Sequence, residues 1–481
     1  MFSCHIHFKC LPLCFVRQIL KIMKKAFLTL LLVAAIASCS VNAAIKKKPH
    51  KKVLILGAGL SGIIAGKTLM DNGVDDFLIL EGQNYIGGRI KQRRFAGYKI
   101  EEGANWIHSY TDEDTKPLWY LKLKTGLKGI QSDWEDLIMR NDKGQNVTDW
   151  ATYDLYDKLV SSIESLREER EKQKKPPISA RVALGLLGWR PSNPVRQAIE
   201  YFNVDFEFGE KPGEVPYSEI GPEQVDFFVT DQRGMITLYR GIYQKFRNKI
   251  KLRRAVKEIK YSSSGVEVTT SRGEVYTADY AICTFSTGVL ASDLVTFNPP
   301  LPEWKREAIL KMPMSIFTKI FLKFPYKFWD DNEFVMHAAS QRGYFPVFQN
   351  LAKKGFFPGS GLMLMVVTED VARRIENQSF RKTRAEIYKM LKKVYGKYIP
   401  APTNIFYPRW SRNPFFRGSY CDPVLGTTEE DMTNLGRNVE NLYFGGDATT
   451  EWFGFMQGAY ISGVNNGKIV SNLVKNGSPV V

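Results

Sequence analysis

Val53-Leu54-Ile55-Leu56-Gly57-Ala58-Gly59-Leu60-Ser61-Gly62 is the stretch on which the reading of this chain turns. Four apolar residues, two of them β-branched, run straight into G-x-G-x-x-G. That is the order of a buried parallel strand, a tight turn and the start of a helix. Gly57 permits the turn, Gly59 has no Cβ to keep a pyrophosphate from the backbone, and Gly62 lets the helix pack close to the strand. The helix N-terminus then offers free N–H groups and a partial positive charge to phosphate. A second apolar run, Phe77-Leu78-Ile79-Leu80, ends in Glu81. Glu81 lies close to the ~20 residues past the glycines at which an acid meets a ribose hydroxyl. Together these features specify a dinucleotide-binding α/β unit. In the following Tyr85-Ile86-Gly87-Gly88-Arg89, the glycine pair allows another close backbone pass, and Arg89 can pair with phosphate.

The chain has 481 residues, 44% of them apolar, enough for two or three domains with large cores. Its formal net charge is +17. Residues 1–43 hold Lys9, Arg17, Lys21, Lys24 and Lys25 and no acid, so the remainder still carries +12. Such a surface fits an anionic partner such as an acidic polysaccharide, or serves solubility alone. No nucleic-acid motif accompanies it, so nucleic acid is not expected as a partner. The cluster Lys46-Lys47-Lys48-Pro49-His50-Lys51-Lys52 reads as a solvated arm before the first strand.

The N-terminus reads as a leader. Met23-Lys24-Lys25 is basic, Ala26 to Ala37 is an apolar run short for a membrane span, and Val41-Asn42-Ala43 offers small residues for cleavage after Ala43. Export of a protein starting from Met23 is the expectation. Ile36-Ala37-Ser38-Cys39 also resembles a bacterial lipoprotein box, and an uncleaved signal anchor is the third reading. Four of the six cysteines fall in this segment, leaving Cys283 and Cys421, so no disulfide framework or zinc spacing exists and no metal site is expected. Sequons at Asn146, Asn377 and Asn476 are compatible with secretion.

Further along, Phe95 to Ile100 reads as a hairpin and Lys116 to Pro176 as amphipathic helices. Lys257–Lys260 and Gly265–Thr269 alternate as antiparallel strands, and Tyr280–Thr284 is a buried one. Thr318–Lys323 is another strand, and Phe380–Tyr395 is a helix by periodicity. Asn441 to Asp447 is a strand, turn and acid, followed by a helix over Gly458–Leu473.

Particular phrases carry a resemblance. They are Glu81 to Arg89 in the pattern E-x(5)-G-G-R, Gly103-Ala104-Asn105-Trp106, Val204-Asp205-Phe206-Glu207-Phe208 and Asp231-Gln232-Arg233-Gly234. With them stand Thr318 to Pro325, Pro408-Arg409-Trp410, and Gly446-Asp447 with Gly458 to Gly463. By these the chain resembles the FAD-dependent amine oxidases, and most closely the plant extracellular polyamine oxidases, from Val53 to Lys475. The resemblance implies an α/β Rossmann-type FAD-binding domain over 50–125, 229–304 and 403–476. An α+β substrate domain over 126–228 and 305–402 would be inserted in it. It implies non-covalent FAD and oxidation of a polyamine at a secondary amine with oxygen as electron acceptor; the alternatives are an L-amino-acid or monoamine oxidase on the same fold, or a secreted flavoprotein without turnover.

It also implies site residues. Gly57, Gly59, Gly62, Glu81 and Arg89 would serve the nucleotide, the Val256 backbone the adenine, and Trp410 the flavin ring. Gly446 and Asp447 would meet the ribityl or pyrophosphate region, with the following helix aimed at the flavin. Lys319 matches the lysine that binds a water at the flavin N5 atom. The bare strand pattern would equally turn Lys319 to solvent, like Lys323. Phe317, Tyr420 and Trp106 would line the substrate slot, and Glu207 would attract the polycation. After Trp106 the plant pattern has glutamate, whereas this chain has His108, as in animal and yeast relatives. A histidine there can titrate near neutral pH. Covalent attachment needs a glycine-cysteine phrase, and here Gly418 is followed by Ser419 and Tyr420, with Cys421 beyond.

Overall fold

The computed structural model describes residues 48–109, 116–220 and 225–477, with a few positions between 21 and 29. The leader reading falls essentially outside them. No helix among the described residues is long and apolar enough to cross a membrane.

The opening stretch forms strand β1 (His50–Leu56), helix α1 (Leu60–Asp71) and strand β2 (Phe77–Leu80). Val53 to Leu56 and all of β2 are buried, as a parallel sheet covered on both faces requires. β1 pairs in parallel with β2, Val53 to Leu56 opposite Phe77 to Leu80. β3 (Val256–Ser262) and β4 (Gly265–Thr270) form an antiparallel pair, and β4 pairs with the first half of β5 (Val275–Cys283). β5 runs parallel to β1, with His50 opposite Thr277 and Leu56 opposite Cys283, and takes Leu442–Phe444 on its other side. The sheet has eight strands, with Thr296–Asn298 and Ile250–Lys251 at its edges. The last helix, α2 (Met456–Asn476), packs on α1. A Cβ on Gly463 would press on Ser61 and Ile64, so this close crossing depends on glycine.

The second sheet has six strands. Its order is Asn404–Phe406, β6 (Phe317–Lys323), Leu362–Thr368, Val347–Gln349, Phe334–Ala338 and Leu137–Asn141. Side chains alternate along β6. Phe317 and Phe321 join one hydrophobic core, and Ile320 and Leu322 join another on the opposite face.

Two expectations change. The basic cluster is not all arm, because His50, Lys51 and Lys52 already belong to β1. Lys51 pairs with Asp76 at 2.6 Å, and Lys52 and His50 pair with Asp279 at 2.9 and 3.0 Å. The helical reading of Lys116 to Pro176 holds for Lys116–Thr125, Trp150–Ser161 and Ile163–Lys172. Between them Leu137–Asn141 is a strand parallel to Phe334–Ala338. Sheet pairing there overrides the local propensity of Leu137-Ile138-Met139.

Candidate active site

A single cavity of about 1170 Å³ runs from the glycine loop to β6. Every site residue expected from the sequence lines it except Gly62. Gly62 is buried in α1, where a Cβ would collide with the Gly57 carbonyl, so it acts through packing.

At the nucleotide end Gly57 takes φ +111°, which excludes a side chain without strain. Open space lies where a Cβ of Gly59 would stand. Gly59 caps α1 without any side-chain hydrogen bond, so the first turn keeps free N–H groups for an anion. Glu81 is buried, and its carboxylate accepts from Ala58 N and Gln83 N, each at 2.7 Å, which fixes the loop. Burial pushes its pKa up against these bonds. Phe455 is the N-cap of α2, again without a side-chain hydrogen bond, and Phe455, Met456 and Ala459 line the same cavity. Two uncapped helix starts and a glycine cradle on one elongated cavity fit a dinucleotide. The sequence gives Arg89 and Asp447 separate nucleotide contacts; the structure pairs them. Arg89 grips both carboxylate oxygens of the buried Asp447 and donates to Ser419 O at 3.2 Å. Cys421 lies behind this pair, Sγ 3.5 Å from Asp447 Oδ2, buried and off the cavity lining.

Lys319 is turned inward on the Phe317 face of β6 and is 7% exposed. Its ammonium donates to Gly103 O at 2.7 Å and to Asn105 Oδ1, and lies 4.9 Å from the centre of the Trp106 ring. Burial pulls its pKa down to about 7, with Glu101 pulling the other way. The solvent-facing alternative for Lys319 is thereby excluded; Lys323, half-buried, donates to Phe324 O. Phe317 and Tyr420 face each other with ring centroids 5.7 Å apart, and Phe206 stands edge-on to Phe317 at 5.6 Å. Trp106 is held by Ser132 Oγ at 2.9 Å, and Trp410 donates to Glu102 O at 3.3 Å.

His108 donates from Nδ1 to Asp226 Oδ2 at 3.1 Å, and the other carboxylate oxygen accepts from Ser109 N at 3.1 Å. Burial works against the imidazolium, but Asp226 and Glu207 outweigh it and the His108 pKa is raised. Phe455 packs against the imidazole at 4.9 Å. Glu207 opens into the cavity, where loss of bulk water raises its carboxyl pKa and His108 lowers it. A π-helical turn, Tyr201–Asp205, carries Glu207 and the aromatic Phe202 and Phe206 to the wall. Arg342 anchors that turn on Asp205, with two bonds of 2.6 Å, and on Glu200 at 3.0 Å.

Sequence reading missed five more carboxylates on the cavity lining, Glu102, Glu219, Asp226, Asp422 and Glu451. Asp226 reaches the site only through pairing of Phe227–Val229 with Trp106–Ile107, a contact no local pattern announces. Away from the cavity lining, Glu210, Glu214 and Glu369 converge with Lys211 beside Glu369, and no histidine or cysteine joins them.

Comparison with known proteins gives this arrangement a context. Residues 60–466 match the family described as flavin containing amine oxidoreductase. Polyamine oxidase 1 of Zea mays is 36% identical over 459 residues, spanning 88% of this chain and 90% of that protein. Polyamine oxidase 7 of Oryza sativa subsp. japonica is 36% identical over 445 residues, spanning 86% and 93%. Among solved structures, wild-type putrescine oxidase bound to putrescine shares the fold, with a TM-score of 0.73 at 17% identity over 88% of this chain and 99% of the other. A flavin on a dinucleotide fold of this kind is FAD, and the cavity fits it. With the glycine cradle, the inward lysine and the match across most of its length, this chain belongs to the flavin-containing amine oxidoreductases.

Proposed function

We propose that this chain oxidises polyamines such as spermine or spermidine at a secondary amine, giving an aldehyde, a shorter amine and hydrogen peroxide. One observation carries the reading. An aromatic slot, a buried lysine and the carboxylates Glu207, Glu219, Asp226 and Asp422 share the cavity of the dinucleotide cradle. A polycation approaching a basic protein needs such a local negative field. The names of the plant relatives support the same substrate class.

FAD, when bound, supplies the two-electron acceptor for the hydride that leaves the amine α-carbon, and oxygen takes the electrons as peroxide. The chain supplies the rest. Phe317 and Tyr420 hold the methylene chain and exclude water. His108, held by Asp226, takes the proton from the incoming ammonium, so that a neutral amine is oxidised. Two N–H groups of Lys319 are tied to Gly103 and Asn105, leaving the third to orient a water in the cavity. Water then cleaves the imine to aldehyde and amine. Cys421, buried off the cavity lining, supports non-covalent attachment of FAD.

An L-amino-acid substrate would need an arginine for its carboxylate. The two arginines on the cavity lining are engaged, Arg89 by Asp447 and Arg254 by Glu274 at 2.6 Å. Peroxide release from spermine or spermidine, and not from L-amino acids or benzylamine, is the expected result. The reverse pattern overturns the reading.

Export of the chain with cleavage after Ala43 belongs to the same proposal, supported by the basic and apolar pattern of residues 23–43. N-terminal sequencing of protein from the medium should begin at Ala44. The charge of +12 beyond that point supports binding to an anionic polysaccharide. Salt-sensitive retention on an acidic polysaccharide column tests that.

A further inference from the structure

Asp422 is an acid without a cation. It lines the cavity two residues past Tyr420 and is 8% exposed, yet its Oδ2 has no hydrogen-bond partner. The charged groups facing it are themselves acids: Glu207, Glu219, Asp447 and Glu210. Asp447 is committed to Arg89. The Ser315 hydroxyl is the neutral neighbour. The backbone that carries Asp422 is fixed, its amide donating to Pro313 O at 3.2 Å and Tyr420 O accepting from Ser315 N at 2.8 Å. A buried carboxyl with one oxygen unpaired, among like charges and with no cation beside it, is costly unless something cationic arrives.

We propose that Asp422, with Glu207 and Glu219, forms an anionic subsite for a second, non-reacting ammonium of the substrate, which selects amines by charge as well as length. This rests on the polyamine reading above. An ammonium carries three N–H donors and one positive charge, which suits three acceptors left without a lysine or arginine at hydrogen-bond distance among the described residues. The subsite adjoins the aromatic slot, since the Tyr420 ring faces Phe317 and its hydroxyl donates to Glu207 O at 2.9 Å. A chain anchored at Asp422 would therefore run directly into the slot. Burial first, then Glu207 and Glu219, hold the Asp422 carboxyl well above the usual carboxylate range. An arriving ammonium favours its ionisation, so binding releases a proton from Asp422.

The test uses the flavin-loaded full chain as wild type, Asp422→Asn and Asp422→Glu. Each is assayed with spermidine and with a secondary monoamine of equal chain length that lacks the terminal amines. Asp422→Asn should cut the preference for spermidine, as the ratio of kcat/KM values, at least tenfold, chiefly through KM, and Asp422→Glu should recover part of it. Anaerobic calorimetry of spermidine binding to the chain with its flavin already reduced, in buffers of different ionisation enthalpy, should show one proton fewer released by Asp422→Asn. An unchanged preference at wild-type flavin content and Tm overturns the subsite, as does an equal loss for both amines. A wild-type chain that oxidises neither amine overturns the subsite and the polyamine reading together. Spermidine oxidation with an unchanged preference leaves only the latter standing.

Discussion

Lys319 is buried at 7% exposure with two fixed acceptors, an arrangement too costly for a lysine that only filled space. Lys319→Met should fold and keep FAD but slow flavin turnover about 100-fold, the scale of a positioned proton-handling group. Stopped-flow traces of flavin reduction and reoxidation check this; wild-type rates would remove Lys319 from the chemistry. Asp226 acts through His108. Its carboxylate raises the His108 pKa, so the imidazole stays protonated to higher pH and the acidic limb of kcat/KM lies above ~6.5. Asp226→Asn removes that charge, and the limb should move to lower pH. A limb that stays in place would assign it to another group. At this scale the sequence was uneven. Lys319 was legible because a matched phrase chose between inward and outward on a strand that alternates. Asp226 and Asp422 were not, because each lies in a segment with no periodic or motif signal and becomes a site residue only through tertiary contact.

At the scale of elements, the π-helical turn Tyr201–Asp205 depends on Arg342. The acids it holds, Glu200 and Asp205, are 0% and 1% exposed, and Arg181 also binds Glu200. Arg342→Met strands buried carboxylates and should cost ~3–5 kcal/mol of stability. It should also raise KM, since Glu207 follows the turn directly. Denaturant unfolding with steady-state kinetics checks both; a stable variant with unchanged KM would show the clasp to be idle. Glu101 anchors the segment before Thr237–Gln244 by accepting from Met235 N at 2.9 Å, while its other oxygen is unpaired. Burial lifts its carboxyl from 4.5 to about 7. The folded chain therefore holds this proton between those values while the unfolded chain has lost it. The stabilisation is full below pH 4.5 and is lost as pH rises through 7. Glu101→Gln should gain on the order of 3 kcal/mol relative to wild type between pH 4.5 and pH 8. Parallel stability curves across that range would contradict it. Strands and helices with strong patterns were legible: Phe380–Tyr395 falls on its predicted bounds, and β3 and β4 form the expected antiparallel pair. Leu137–Asn141 was not, since short apolar runs of good helix formers become strands only when a sheet edge is offered.

For the whole molecule, the mostly parallel sheet built on β1 and the mixed sheet carrying β6 both contribute walls to one cavity. The nucleotide end could be read from local glycines and spacing, because a phosphate cradle is built from consecutive backbone. The substrate end draws on Trp106, Glu207, Phe317 and Tyr420, far apart in sequence, and no local rule reports their meeting. Net charge adds a second layer. A protein of +17 that takes a polycation must reverse its field locally, and the carboxylates on the cavity do so.

Anaerobic titration of the flavin-loaded chain with spermine, following flavin absorbance and identifying products by mass, decides whether this chain oxidises polyamines. Stoichiometric bleaching is expected, with an aldehyde and a shorter amine whose masses name the carbon attacked. A chain with FAD fully bound that spermine leaves yellow would contradict it.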